Sequence, residues 1–241
     1  MKPKARKGKK ETLRAFHNKK SIKEKYVKRM ELHAKLDEII QGKYWERGKG
    51  CATGCAVHST KPHKKYETLL GIPEALAWLE DDIFERLSNG EAKKFAVDFL
   101  KVIPVGADLT KVVWKFKIWV LVDRHNGVIQ YANEETKRII KQIVALQKRE
   151  LRGDRVDEGD WSAARSAAWS AARSAARSAA WSAARSAAWS AESAAWSAAW
   201  SAARSAAWSA ESAAWSAESV AWSAYYKKCA RKLLSLLRSA K

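Results

Sequence analysis

The 241-residue chain has only three cysteines, four prolines and no long apolar run. An odd, small number of cysteines does not form the disulfide framework that holds small secreted domains together. No apolar stretch approaches the roughly 20 residues of a membrane-spanning helix, and no apolar signal-peptide core follows the basic N-terminus. These absences exclude a disulfide scaffold and an integral membrane protein, and we expect an intracellular, cytoplasmic protein.

Acidic residues are almost missing from the two ends of the chain. Residues 1–30 contain 13 Lys and Arg against Glu11 and Glu24, and residues 225–241 contain six basic residues and no acid. The net charge of +20 therefore lies mainly at the ends. Such ends are typical of proteins that contact nucleic acid, because each cation near the phosphate backbone releases a condensed counterion. An anionic membrane surface would attract the same residues, and solvated tails that keep the protein soluble are a third interpretation.

Composition divides the chain into four segments. Residues 1–10 have too few apolar side chains to bury and are predicted to be a disordered basic arm. Residues 11–152 are predicted to form a helical globular domain, and 153–160 a polar linker. Residues 161–241 are predicted to form one long repeat helix with a basic amphipathic end. The predicted fold class is therefore all-α.

Apolar residues recur at steps of three and four through most of the predicted domain. One or two amphipathic helices are predicted over 11–41, followed by a glycine-rich loop at 48–54. Pro73 and Asn133 are typical first residues of helices. Residues 112–122 are rich in β-branched side chains, which leaves a strand open, but the spacing of their apolar residues favours a buried helix.

The last third of the chain repeats Ser-Ala-Ala-X, in which X is Trp or Arg. Alanine is the best helix former and no Gly or Pro interrupts 161–224, so a continuous helix approaching roughly 100 Å is predicted. Steps of four residues turn each X by about 40° and spread the first tryptophans around the helix. Later steps of three, at Glu192, Glu211 and Glu218, bring the following tryptophans back onto one apolar stripe. The stripe consists of Trp189, Trp196, Trp200, Trp208, Trp215 and Trp222.

Indole rings on a helix of small side chains need another surface, because each ring left in water forfeits roughly 150 Å² or more of burial. We expect self-association through the repeat helix, or packing on the chain's own N-terminal domain. Trp alternating with Arg is also typical of surfaces that stack on bases and pair with phosphates. The cations concerned are Arg165, Arg173, Arg177, Arg185 and Arg204. A lipid interface is the third alternative, for the repeat and for the basic end at 225–241.

Two cysteines and two histidines lie close together in the sequence. Cys51, Cys55, His58 and His63 could supply four tetrahedral ligands to Zn, although the common knuckle has two residues between its cysteines and this one has three. A Cys nucleophile beside a His is the other chemistry that these residues allow, with backbone N–H groups of the loop as oxyanion donors. Either would make the chain a metal- or thiol-dependent enzyme centred on Cys51, Cys55 and His58. The remaining interpretation is a buried cysteine and surface histidines without a chemical role.

Four acidic residues, Glu80, Asp81, Asp82 and Glu85, lie on the helix predicted after Pro73. Asp81 with Glu85, or Asp82 with Glu85, share one side of that helix. Paired carboxylates can do acid–base work or hold a metal. A solvated helix face is the commoner outcome.

Several short motifs lie between residues 12 and 150. They are GCATGC at 50–55, His58, Tyr66-Glu67, LGIP at 70–73, Leu76-Ala77, Leu79-Glu80-Asp81, Ile83-Phe84-Glu85 and IPVGADL at 103–109. Together with the alanine-rich end, they resemble a family of uncharacterised bacterial and phage proteins. The resemblance implies a bacterial or phage origin and supports the domain boundary. It implies no activity.

The leading hypothesis is a non-enzymatic binding or assembly protein. The repeat helix would mediate oligomerisation or partner binding, and the basic ends would favour nucleic acid. The alternatives are the metal- or thiol-dependent enzyme and membrane-surface association through the C-terminal segment.

Overall fold

The computed structural model describes residues 13–164, 166–167 and 224–241. These residues are helical and contain no β-strand, which confirms the predicted all-α fold. The helices are α1 (Lys20–Lys35), α2 (Ala52–Val57), α3 (His63–Leu70), α4 (Glu74–Arg86), α5 (Asn89–Val102), α6 (Thr110–Val122) and α7 (Glu134–Arg152), with two short 3-10 helices at Ala15–Asn18 and Val128–Tyr131. Residues 224–238 form a further helix, called here the C-terminal helix. No helix of these described ranges combines the length and the apolarity that crossing a bilayer requires.

The described residues group into two compact units. The first unit contains the described residues up to Phe116 together with Tyr226–Lys241, and the second contains those from Lys117 to Tyr225. The predicted segments 1–10, 11–152, 153–160 and 161–241 stay predictions. The C-terminal helix belongs to the first unit from Tyr226 onward, a grouping that none of the predicted segments included.

The core of the first unit forms around α5. One face of α5 is apolar at helical spacing, where Ala92, Phe95, Ala96, Phe99 and Leu100 are buried. Helices α1 and α4 pack against it, α3 packs against α4, and the short α2 contacts all four. Because α2 lies among these helices, the residues at both of its ends meet side chains from distant parts of the sequence.

The C-terminal helix packs on the first unit through a single apolar stripe. Cys229, Ala230, Leu233 and Leu237 are buried, and the two leucines are fully buried. Polar contacts hold both ends of the segment: Lys227 Nζ lies 3.0 Å from Glu91 Oε1, and the Asp108 N–H donates to the final carbonyl at 2.8 Å. The last residues of the chain are therefore part of a folded core.

In the second unit, α7 begins and ends as its sequence predicts. Asn133 Oδ1 accepts a hydrogen bond from the Thr136 N–H at 2.8 Å, and Gly153 terminates the helix. The Arg149 guanidinium donates to Asp160 Oδ2 at 2.9 Å, just ahead of the repeat. The predicted cap at Asn133 is confirmed.

Three elements differ from expectation. The predicted loop at 48–54 is wrong in its second half, because α2 begins at Ala52 and runs through Gly54. Helix α1 begins only at Lys20, after the 3-10 helix. Helix α3 was not predicted, whereas residues 112–122 are confirmed as helical within α6.

The long repeat helix lies almost entirely outside the described residues. Residues 161–164 and 166–167 are helical. The predicted tryptophan stripe, the predicted arginines of the repeat and the predicted basic arm at 1–10 fall outside the described ranges.

Candidate functional site

Two glycines allow a loop to cross the start of α2. A Cβ at Gly54 would lie 1.3 Å from the Tyr44 carbonyl oxygen, and a Cβ at Gly50 would lie 2.0 Å from the same atom. Only glycine fits, because any side chain would overlap the crossing backbone. The Cys51 N–H donates to the Lys43 carbonyl at 2.6 Å and fixes the crossing. The loop thereby brings Tyr44 and its neighbour Trp45 to histidines on either side of α2.

At the start of α2, a thiol meets two carboxyl groups from α4. The ligand atoms of Cys51, Asp81 and Glu85 all lie within 4.8 Å of one another. Cys51 is fully buried and Asp81 is 8% exposed, while Glu85 reaches the surface. We call these three residues the thiol–carboxylate cluster. It unites the cysteine and the (i, i+4) acid pair, which the sequence presents as two separate candidates.

Neighbouring donors fix the carboxyl groups of this cluster. His63 Nε2 lies 3.2 Å from Asp81 Oδ2, and Thr53 Oγ1 lies 3.5 Å from Asp81 Oδ1. The Gly42 N–H donates to Glu85 Oε2 at 2.8 Å. Each carboxyl group therefore has a defined orientation and retains lone pairs that these donors do not use.

Two aromatic rings enclose the His63 imidazole. Trp78 stacks on it with centroids 3.5 Å apart and planes 12° apart. The Tyr44 ring approaches edge-on at 5.3 Å. His63 is buried although Trp78 is half-exposed, so the indole shields the imidazole and its contact with Asp81 from solvent.

A second pair of polar groups is buried beside the cluster. The Tyr66 hydroxyl and the Glu80 carboxyl are inaccessible to solvent and lie next to each other, although neither meets a partner at good hydrogen-bonding geometry. Burial raises the pKa of Glu80 well above its usual value; the Tyr66 hydroxyl opposes this rise, and the neighbouring Asp81 adds to it. Burial also raises the pKa of Tyr66, and its neighbours Glu80, Cys51 and Asp81 raise it further, so its hydroxyl lies near all three groups. Both groups are held in their protonated, neutral forms.

The two predicted thiols have different surroundings and similar acidity. Burial raises the pKa of Cys51 and of Cys55 to about 12. The Cys55 thiol donates to the Gly50 carbonyl at 3.2 Å and lies 3.6 Å from the Glu38 carbonyl. Both thiols are protonated at neutral pH, and a protonated thiol is a weak nucleophile.

At the end of α2, two histidines contact each other. His33 Nε2 and His58 Nε2 lie 2.8 Å apart, and His33 Nδ1 lies 2.6 Å from Glu38 Oε2. Trp45 stacks on His58 with centroids 4.3 Å apart. Partial burial lowers the pKa of His58, and the charges of Arg29 and His33 lower it further. We call His33, His58 and Glu38 the histidine–glutamate cluster. Only one hydrogen can lie between the Nε2 atoms of the two histidines.

The structure places the four predicted zinc ligands in different surroundings. Cys51 joins the thiol–carboxylate cluster, Cys55 bonds to backbone carbonyls, His58 contacts His33, and His63 contacts Asp81. Within the described part of the chain, that cluster is the group of three potential metal ligands whose atoms come this close. The sequence pattern does not single out His33 or Glu38, and it does not connect Cys51 with Asp81. No local pattern signals either contact, because each joins separate elements.

No protein-family model, curated protein or solved structure matches this chain. The resemblance to uncharacterised bacterial and phage proteins therefore stays a prediction.

Proposed function

We propose that the chain is a non-enzymatic binding and assembly protein, which contacts nucleic acid through its C-terminal helix and associates through its repeat. One observation supports this more than any other. The basic end is a helix docked on the first unit, and three of its cations, Lys228, Arg231 and Arg238, lie on the side opposite its buried leucines.

Lys227 of the C-terminal helix is exposed but pairs with Glu91. The other exposed cations of this helix, Lys228, Arg231 and Arg238, lie along one line. At 100° per residue they fall within about 80° of one another, on the side opposite Leu233 and Leu237. The line is about 15 Å long at 1.5 Å per residue. It is long enough to face several phosphates, because duplex DNA carries one charge per about 1.7 Å of its axis.

Docking also reduces the cost of binding. A disordered basic tail must be ordered when it meets its partner, whereas a helix already held by Leu233 and Leu237 presents its cations in place. The segment 224–241 contains no acidic residue that would repel phosphate.

The nucleic-acid part of the proposal is tested with the full-length triple variant Lys228→Gln/Arg231→Gln/Arg238→Gln. Affinity for labelled single- and double-stranded oligonucleotides is measured against salt concentration. We expect the slope of log affinity against log salt to fall in magnitude by about 3, since each phosphate-contacting cation contributes about 1.

The matched control is Lys49→Gln/Lys65→Gln/Lys115→Gln, which removes the same charge from exposed lysines on three other elements. Its slope should stay close to that of the wild type. Equal losses of slope in the triple variant and in the control would mean that net charge alone causes the effect. A wild-type affinity that does not change with salt would refute phosphate contact.

The assembly part of the proposal concerns the repeat, which has folded residues before it and after it in the sequence. Truncation before the repeat would also delete Leu233 and Leu237 from the core of the first unit. We therefore propose replacing the six stripe tryptophans, Trp189, Trp196, Trp200, Trp208, Trp215 and Trp222, by alanine. Light scattering should show a smaller assembly than the wild type, while replacement of the five repeat arginines by lysine should leave the mass unchanged. A wild-type monomer would refute self-association.

The two alternatives receive less support. Membrane-surface association through the C-terminal helix needs its apolar stripe, but that stripe is buried in the first unit. The enzyme centred on Cys51, Cys55 and His58 receives less support in its thiol-dependent form, because a nucleophile must be a thiolate and burial keeps both thiols protonated. In its metal-dependent form the three residues have separate partners, since Cys55 donates to the Gly50 carbonyl and His58 contacts His33.

A further inference from the structure

The thiol–carboxylate cluster combines one soft and two hard ligand atoms. Cys51 supplies sulfur from the residue before α2, while Asp81 and Glu85 supply oxygen from consecutive turns of α4. A set of this kind suits borderline divalent ions such as zinc, because magnesium and calcium prefer oxygen ligands alone.

No described lysine or arginine balances the charge of the two carboxyl groups; the basic side chain in contact with them is His63, which meets Asp81. Among the described residues, neither Asp81 nor Glu85 forms an ion pair with a lysine or arginine, whereas the adjacent Asp82 pairs with Arg86 at 3.1 Å. A buried carboxylate is costly unless it is paired or bound to a metal. The donors around Asp81 are His63 and Thr53, with the Tyr44 hydroxyl and the Cys51 thiol also close to its carboxyl group.

Two buried polar side chains lie beside the cluster. The Tyr66 hydroxyl and the Glu80 carboxyl are next to each other, and Tyr66 also lies near Cys51 and Asp81. The surroundings of the cluster are therefore polar rather than purely apolar, which lowers the cost of holding an ion there.

We propose that Cys51, Asp81 and Glu85 bind one divalent transition-metal ion of the zinc class, with water completing the coordination. The Cys51 thiol loses its proton to solvent as the metal–sulfur bond forms, because the metal ligand is the thiolate. Tetrahedral bonds of about 2.0–2.3 Å place ligand atoms roughly 3.5 Å apart. The three atoms already lie within 4.8 Å of one another, so side-chain movements of about 1 Å would close the site. His63 orients Asp81 from the outer shell, in the way that histidine–carboxylate contacts commonly support metal ligands.

The test uses Co²⁺ as a spectroscopic substitute for zinc, titrated into the metal-free full-length protein under reducing conditions. We expect one tight Co²⁺ per chain, with a near-ultraviolet thiolate-to-cobalt charge-transfer band. Cys51→Ser should abolish the band, and Cys55→Ser should leave it intact because that thiol bonds to backbone carbonyls instead. Loss of the band in Cys55→Ser with retention in Cys51→Ser, or no binding at all, would overturn the proposal.

Three further variants distinguish loss of a ligand from misfolding of a buried cysteine variant. Glu85→Gln changes an exposed ligand and should weaken Co²⁺ binding by about 100-fold or more, whereas Asp82→Asn, one position from Asp81 and also exposed, should bind as the wild type does. His63→Gln should weaken binding by roughly 10–100-fold with the charge-transfer band preserved. Wild-type affinity in Glu85→Gln, in a protein whose circular dichroism matches the wild type, would refute the assigned ligand set.

Discussion

The two ends of α2 carry histidine-containing groups of opposite chemistry. At its start, His63 contacts an acid, and a thiol and two carboxyl groups converge with no lysine or arginine ion-paired to them among the described residues. At its end, His58 contacts another base, His33, which in turn contacts Glu38. An added cation would be attracted at the first end, and an added proton would disrupt the second. The comparison shows that one short helix can hold two groups with opposite responses to positive charge.

Both ends of α2 depend on the same loop crossing, so a substitution at the crossing should have the largest effect. Gly54→Ala places a Cβ against the Tyr44 carbonyl, and Tyr44 and Trp45 contact the histidines at the two ends. We expect a loss of about 3 kcal/mol or more of unfolding free energy, measured by denaturant titration, since the backbone must move to relieve the overlap.

Gly90→Ala is the matched control, because a Cβ there meets nothing within 4 Å in helix α5. It should raise stability by about 0.5–1 kcal/mol, the usual gain of alanine over glycine in a helix. Similar stabilities for Gly54→Ala and the wild type would show that the crossing does not hold the loop.

The acidic groups at the start of α2 can be tested through the effect of Glu80 on stability at different pH values. Its pKa is raised in the folded protein, so the folded state keeps a proton that the unfolded chain releases. Stability is therefore fully present below the unfolded value near 4.5 and falls as pH rises, by at most about 1.4 kcal/mol per pH unit until the folded pKa is reached. Glu80→Gln should remove this slope, measured by denaturation of metal-free protein between pH 5 and 8.

The exposed Glu24, which pairs with Lys20, gives the control variant Glu24→Gln. It should keep the wild-type slope. A slope that survives in Glu80→Gln would mean that another buried acid is responsible.

The smallest effect is expected at the histidine end. The pKa of His58 is lowered in the folded protein, so the unfolded chain takes up the proton first as pH falls. Stability should be fully present above about pH 6.5 and decline below it, by less than about 1 kcal/mol because His58 is exposed and screened by solvent. Denaturant titration at several pH values should show no such decline in His58→Gln and the full decline in the control His125→Gln, whose histidine is exposed. A decline that persists in His58→Gln would mean that another group causes it.

Local patterns were sufficient for the helical class and for several helix ends. Asn133 and Gly153 bound α7 because their roles depend on residues within one turn. Helix α6 follows in the same way from the spacing of its apolar residues.

The site was less predictable, because its residues meet across separate elements. Gly54 is typical of a loop by composition, yet it lies in helix α2, and it is glycine because the Tyr44 carbonyl passes over it. Cys51 and Asp81 are 30 positions apart, and nothing in the spacing of either one indicates the other. The carboxyl pair on α4 was predictable from helix geometry, but its thiol neighbour was not.

The burial of Leu233 and Leu237 has a consequence for the coding of the repeat. Gain or loss of a whole Ser-Ala-Ala-X unit changes the length of the middle of the chain and leaves the final helix intact. A shift of the translational frame anywhere in that monotonous stretch replaces the final helix and deprives the first unit of two core leucines. Two core leucines of the first unit therefore reach it only when the repeat before them is translated in the correct frame.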